Sequence, residues 1–238
     1  MRIFKGNGSE SENRLLAALS LEEYEGLRPH LEQVYFSLGE SVYEPDRQMN
    51  HIFFPTTCII SLLYTMEDGA SAEIGVVGNE GAVGIALFMG GKTTPNHALV
   101  QSAGNALRMK AEALLDRFVL GGSFQNLLLR YTQALITQIS QTAVCNRLHS
   151  VEKQLCRWIL LSHDRLQSSE LRMTQELIAN MLGVRREGVT NAARRLQSAG
   201  MIKYTRGRIT ILDRKGLEAT VCECYQVVKD EYDRLLGL

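Results

Sequence analysis

The stretch LIANMLGVRREGVTNAARRL, residues 177–196, constrains the fold more than any other. Apolar residues recur at helical spacing on both sides of Gly183, and four arginines, Arg185, Arg186, Arg194 and Arg195, crowd behind that glycine. Residues that repeat every third or fourth position bury one face of a helix. A glycine between two such segments takes the positive φ that stops the first helix and redirects the chain at once. Thr174 is placed to cap the first helix through its hydroxyl, with Glu176 favourable in the first turn. The second helix is expected from about Arg186 to Ser198, with Val189, Ala192, Ala193 and Leu196 inward. Its outward and leading positions are Arg185, Arg186, Glu187, Thr190, Asn191, Arg194 and Arg195. Ser198-Ala-Gly200 ends it, and MIKYTRGRITIL alternates around Arg206 and Gly207 as a two-stranded wing. Together these features make a winged helix-turn-helix.

The formal charge of zero hides a strong asymmetry along the chain. Residues 1–125 carry a balance of −6, residues 126–170 of +2, residues 171–215 of +7 and residues 216–238 of −3. The basic charge therefore coincides with the helix-turn-helix, and a localised basic patch is the electrostatic footprint of nucleic-acid binding. The major groove of DNA admits one α-helix, whose first turn reaches base edges while its flanks meet phosphates. Arginine donates two parallel hydrogen bonds to guanine, a carboxylate accepts from cytosine N4 or orients a neighbouring arginine, and asparagine makes the paired contact that adenine offers. Base reading is accordingly assigned to Arg186, Glu187, Thr190 and Asn191. Phosphate contact is assigned to Arg185, Arg194, Arg195, Lys203, Arg206 and Arg208, with Thr174 and Gln175 at the N-terminus of the first helix.

Upstream, residues 31 to about 110 hold short β-branched or aromatic runs: VYFSL, HIFFP, CIISLLY, AEIGVVG, HALVQ and ALRM. Turn signals such as EDGA, GNEG and GGKTTPN separate them, the pattern of a compact antiparallel barrel or sandwich. A short helical start, SENRLLAALSLEEYEGL, precedes it. From Ala111 the period changes to 3.6, and Leu127, Leu128, Tyr131, Leu135, Ile139, Thr142, Asn146 and His149 advance by three or four. Neither Gly nor Pro interrupts Ser123 to His163, so one long helix or two nearly continuous ones are expected. A helix of that length favours pairing with a second copy through Leu128, Tyr131, Leu135, Ile139, Thr142 and Asn146; the alternative is packing against its own barrel.

With 45% hydrophobic and 22% charged residues, the composition is that of a folded protein. No run of about 18 uncharged apolar residues occurs and the first residues lack the apolar core of a signal peptide, so a cytoplasmic protein without a membrane partner is expected. Five cysteines, Cys58, Cys145, Cys156, Cys222 and Cys224, lack paired metal-ligand spacing. Two residues apart on a helix, Cys222 and Cys224 point to different sides, so reduced, buried thiols and no metal are expected.

The order of a β-rich segment, a long helix and TQELIANMLGVRREGVTNAARRLQSAGMIKYTRGRITI resembles the Crp/Fnr family of bacterial transcription regulators. The resemblance implies an α+β chain with a β-roll like that of cyclic-nucleotide-binding domains over residues 1–120, a long dimerisation helix over 121–165 and a winged helix-turn-helix over 166–238. It implies a homodimer that reads palindromic DNA, with Arg186, Glu187 and Asn191 on base-reading positions, and a β-roll that senses a small molecule or serves as a structural, RNA polymerase-contacting module. Arg185 stands where a small hydroxyl residue is common at the N-cap.

By the same resemblance the effector pocket would involve Gly78, Glu80, Gly81, Asn96 and His97. The last two replace an arginine and a hydroxyl that hold cyclic phosphate in nucleotide-binding members. Loss of such a charge-assisted pair costs about 3 kcal/mol, roughly a hundredfold in affinity, so cyclic AMP is not the expected ligand. The N-terminal cysteine cluster of iron–sulfur members is missing. No cofactor is expected and the effector stays unidentified. A ligand-binding module with nonspecific nucleic-acid affinity is the alternative, and no catalytic motif supports an enzyme.

Overall fold

The structure, a computed structural model, describes residues 13–166 and 170–237. Ser11 and Glu12 of the expected helical start lie outside them. Two short helices, α1 (Arg14–Ala17) and α2 (Leu21–Leu27), lead in. Asn13 caps α1 by accepting from the Leu16 amide at 3.0 Å while its Nδ2 donates to the Pro55 and Gly81 carbonyls. Ser20 and Glu23 form a reciprocal capping box on α2.

The strands follow as β1 (Glu32–Phe36), β2 (Ser41–Tyr43), β3 (His51–Pro55), β4 (Ile59–Thr65), β5 (Ser71–Val77), β6 (His97–Ser102) and β7 (Gly104–Lys110). They pair antiparallel in two sheets, ordered β1-β7-β3 and β2-β6-β4-β5. Each expected apolar run overlaps a strand of this barrel, though Ser37 and Leu38 of the first lie past β1, and the core is built from Ile52, Phe54, Ile59, Ile60, Val77, Ala98 and Met109. Helix α3 (Ala111–Val119) leads to α4 (Gly122–Leu148). The backbone then extends at His149, and Ser150 accepts from the Lys153 amide to start α5 (Val151–Arg165). The expected helical stretch is thus two helices with a capped break. Downstream lie β8 (Glu170–Arg172), α6 (Gln175–Leu182), α7 (Arg186–Ser198), β9 (Ile202–Thr205), β10 (Arg208–Ile211), α8 (Arg214–Thr220) and α9 (Cys224–Leu236). The wing gains a third strand, in the order β8-β10-β9. No helix among the described residues is long and apolar enough to cross a membrane.

Two expectations are corrected here. Leu128, Tyr131, Leu135 and Thr142 do not form a surface for a second copy, because they are buried within one chain. Helix α9 packs along α4, with Tyr232 edge-on to Tyr131 at a centroid distance of 6.4 Å, and β5 covers the adjacent face. Ile139 and Asn146 are half-buried on the same side. Nor are Cys222 and Cys224 in helical phase: Cys222 lies in the turn before α9 and Cys224 opens it.

Helix α5 is fastened to the barrel by buried polar contacts. Arg165 Nε meets Glu80 Oε1 at 2.7 Å, both side chains being nearly inaccessible, while Nη2 donates to Gln138 of α4 and Nη1 to the Leu161 carbonyl. Gln101 of β6 donates to Ser162 of α5 at 3.0 Å and accepts from Ser61, whose hydroxyl also reaches Glu73. Burial pushes the Glu73 carboxyl up to about 7. Arg165→Leu strands a buried carboxylate and is expected to destabilise the fold by about 3–5 kcal/mol, read as a lower urea midpoint at unchanged slope.

Candidate nucleic-acid interface

The helix-turn-helix forms because each of its ends has a physical stop. Thr174 Oγ1 accepts from the Leu177 amide at 3.3 Å and begins α6. Gly183 adopts φ 63° and ψ 35°, the left-handed cap that ends it, a conformation that a glycine takes without the cost a side chain would bring. Arg185 occupies the N-cap of α7 with no side-chain cap, leaving its guanidinium free of that role. Val189, Ala192, Ala193 and Leu196 are buried, so α7 sits on the rest of the domain by the face that the periodicity assigns. Helix α5 packs beneath it and against α8.

The opposite face is open. Arg185, Arg186, Glu187, Asn191, Arg194 and Arg195 are all exposed, as are Thr174, Lys203, Arg206 and Arg208. Arg186 lies 3.9 Å from Glu176 with both side chains about two-thirds exposed, a contact that water screens heavily. Thr190 differs: it is half-buried, and its hydroxyl lies 2.7 Å from Gln175 Oε1 and 3.0 Å from the Arg186 carbonyl. Thr190 and Gln175 are therefore engaged in locking α6 to α7. Arg195 pairs with Glu152 of α5 at 3.2 Å, and Arg208 lies 3.7 Å from Glu170 of β8.

Thr174, Gln175, Arg186, Tyr204, Arg206 and Gly207 enclose a hollow of about 270 Å³ between α6, α7 and the wing. Tyr204 was not among the residues the sequence marks, because in a strand it reads as ordinary packing. Its hydroxyl donates to the Met173 carbonyl at 2.7 Å, its amide donates to Gln197 Oε1, and burial pushes its pKa up to about 12. The wing turns at Arg206 (φ 49°) and Gly207 (φ 76°), the primed geometry that a two-residue hairpin connection requires. A left-handed arginine is strained, so its charge at the wing tip is kept at a cost in stability.

The glycine-rich segment departs from the expected effector pocket. Glu80 is taken by Arg165. A Cβ on Gly78 would lie 2.6 Å from Arg165, and one on Gly81 would lie 2.5 Å from the Tyr131 ring, so both glycines serve packing. His97 Nε2 meets Ser41 Oγ at 2.9 Å on the surface. Of the five, Asn96 lines the cavity between the barrel and α4: it accepts from Tyr43 at 2.5 Å and faces about 340 Å³ walled by Met49, Leu62, Val83, Met89, Leu135 and Ile139.

Residues 153–220 match the Crp-like helix-turn-helix domain. Solved structures share the fold over nearly their whole length. FixK2 from Bradyrhizobium japonicum is 14% identical with a TM-score of 0.70, covering 81% of this chain and 98% of its own. A CRP-family transcriptional regulator from Thermus thermophilus is 16% identical with a TM-score of 0.66, at 78% and 95% coverage. The c-di-GMP-responsive global regulator CLP from Xanthomonas campestris is 15% identical with a TM-score of 0.62, at 81% and 99% coverage. A comparison of the sequence with curated proteins gives no match. The chain thus shares the fold of these regulators and contains a Crp-like helix-turn-helix domain. The chain carries its helix-turn-helix at residues 153–220, beginning within α5.

Arg206→Asn keeps the turn with a residue that tolerates positive φ, and is expected to raise stability by up to about 1 kcal/mol while weakening binding to duplex DNA. Thermal unfolding and a fluorescence binding titration on one preparation check both signs.

Proposed function

We propose that the chain is a homodimeric regulator that reads a palindromic DNA site, with no dependence on cyclic AMP. The observation that carries the reading is the N-terminal half of α7, where Arg186, Glu187 and Asn191 stand exposed on a helix whose other face is buried, and basic residues flank them. Arg186, Glu187 and Asn191 meet base edges; Arg185, Arg194, Lys203, Arg206 and Arg208 meet phosphates, and Thr174 presents the α6 N-terminus to the backbone. Thr190 and Gln175 act by holding the two helices together.

Dimerisation uses a face of α4 other than the buried stripe. Leu129 and Ile136 are 47% and 53% exposed, and Ala143 continues the seven-residue interval with the exposed Val144 beside it. That interval is the seam of a paired helix. A two-fold pair places the recognition helices about one helical turn of DNA apart, some 10 bp between half-site centres. Independence from cyclic AMP is supported by the cavity beside α4, whose lining, among the described residues, includes no cation to hold a phosphate. A small, mostly apolar molecule suits those walls.

The test is the affinity of the native chain for a site selected from random duplexes, against a scrambled duplex of equal length and salt. A preference of about a thousandfold or more is expected, whereas equal affinity supports a module with nonspecific nucleic-acid binding. Ile136→Glu is expected to sediment as a monomer and to lose about tenfold or more in affinity for the full palindrome, with much less effect on a half-site.

A further inference from the structure

Four side chains away from the DNA-facing surface converge where α4 gives way to α5. Cys145 lies in the last turn of α4 and His149 caps it, while Cys222 and Cys224 bracket Glu223 in the turn between α8 and α9. Three Sγ atoms and one imidazole nitrogen all lie within 4.8 Å of one another. Cys145 Sγ is 3.6 Å from Cys222 Sγ, and Cys224 Sγ is 3.6 Å from His149 Nδ1. The three thiols are free and buried.

These distances discriminate among the chemistries open to thiols. A disulfide needs its sulfurs at about 2.0 Å, far closer than the Cys145–Cys222 separation. An iron–sulfur cluster distributes its ligands over more than one iron and so spreads the set wider than one ion does. A single ion with metal–sulfur bonds of about 2.3 Å and metal–nitrogen bonds of about 2.0 Å sets its ligands roughly 3.5–3.8 Å apart in a tetrahedron. We propose that Cys145, His149, Cys222 and Cys224 form a closed four-coordinate site for one zinc-class divalent ion.

The surroundings fit that assignment. His149 presents Nδ1 to the cluster while Glu223 Oε1 lies 3.6 Å from its Nε2, so a small shift would complete the order of metal, imidazole and carboxylate that orients a ligating histidine. Gln154 Nε2 donates to the His149 carbonyl at 2.9 Å and holds the ligand's backbone. Loading releases three thiol protons and leaves a divalent ion with three thiolates and a neutral imidazole, a net charge of −1. The buried Arg157 supplies the compensating charge: it bears on both Cys145 and Cys224, its Nη1 donates to Thr142 at 3.1 Å, and its Nε has no hydrogen-bond partner among the described residues. The ion ties the α8–α9 turn to the α4–α5 break, cross-linking residues far apart in sequence at the point where the barrel-side helix hands the chain to the helix-turn-helix.

The experiment is a cobalt(II) titration of the full chain, stripped with chelator under reducing conditions. The expected result is one ion per chain, the intense visible bands of tetrahedral cobalt with thiolate-to-cobalt charge transfer, bleaching on addition of zinc, and a higher thermal midpoint for the zinc-loaded chain. Cys222→Ser is expected to lose the charge-transfer band, whereas Cys58→Ser and Cys156→Ser keep it. Should Cys222→Ser fail to fold, X-ray absorption of the zinc-loaded native chain decides: a shell of three sulfurs and one nitrogen supports the site. Weak octahedral cobalt without thiolate bands, retention of those bands in a folded Cys222→Ser variant, or a multi-iron cluster in the purified chain would overturn it.

Discussion

The 2.7 Å contact between Glu80 and Arg165 holds together the parts on which everything else rests. Glu80 belongs to the glycine turn after β5, Arg165 ends α5, and Gln138 of α4 accepts from the same guanidinium. Both charges are nearly inaccessible to water, and burying either one alone is costly, so the two are confined to each other. Such a pair contributes less to net stability than its length suggests, since desolvation offsets most of the attraction. What it does supply is position: any packing of α5 that separates the two charges is strongly disfavoured.

That position is transmitted to the DNA-facing surface. Helix α5 carries the buried face of α7 and contacts α8, so the recognition helix sits where α5 puts it. Glu152 of α5 also reaches Arg195 on α7. From the barrel side, Gln101 to Ser162 adds a second polar fastening, and β5 packs against α6. A ligand in the cavity walled by Leu135 and Ile139 would press on α4, one break away from α5.

The helix-turn-helix was legible because its signals are local. A threonine cap, a glycine that must adopt positive φ and an apolar period act within a few residues, and tertiary packing does not override them. The barrel strands were legible for the same reason. The stripe through Leu128, Tyr131 and Leu135 shows the limit: periodicity identifies an apolar face and says nothing about what covers it. Here the cover is α9, roughly a hundred residues later, and the exposed row of Leu129, Ile136 and Ala143 is shorter and weaker in sequence. The resemblance places Gly78 and Gly81 in an effector pocket, whereas the groups that a Cβ at these positions would meet are Arg165 and Tyr131. The convergence of Cys145 and His149 with Cys222 and Cys224 has no spacing signal at all, since it depends on the turn before α9 breaking the helical phase.

On the proposed reading, the first turns of α7 meet base edges while the surrounding arginines meet phosphates. Selection from randomised duplexes, run in parallel with the native chain and with Arg186→Ala, tests it most directly. Two inverted half-sites are expected for the native chain and, for the variant, the same site with preference relaxed by about 1–3 kcal/mol at one base pair in each half. An unchanged preference, or an equal loss on every duplex, would contradict it.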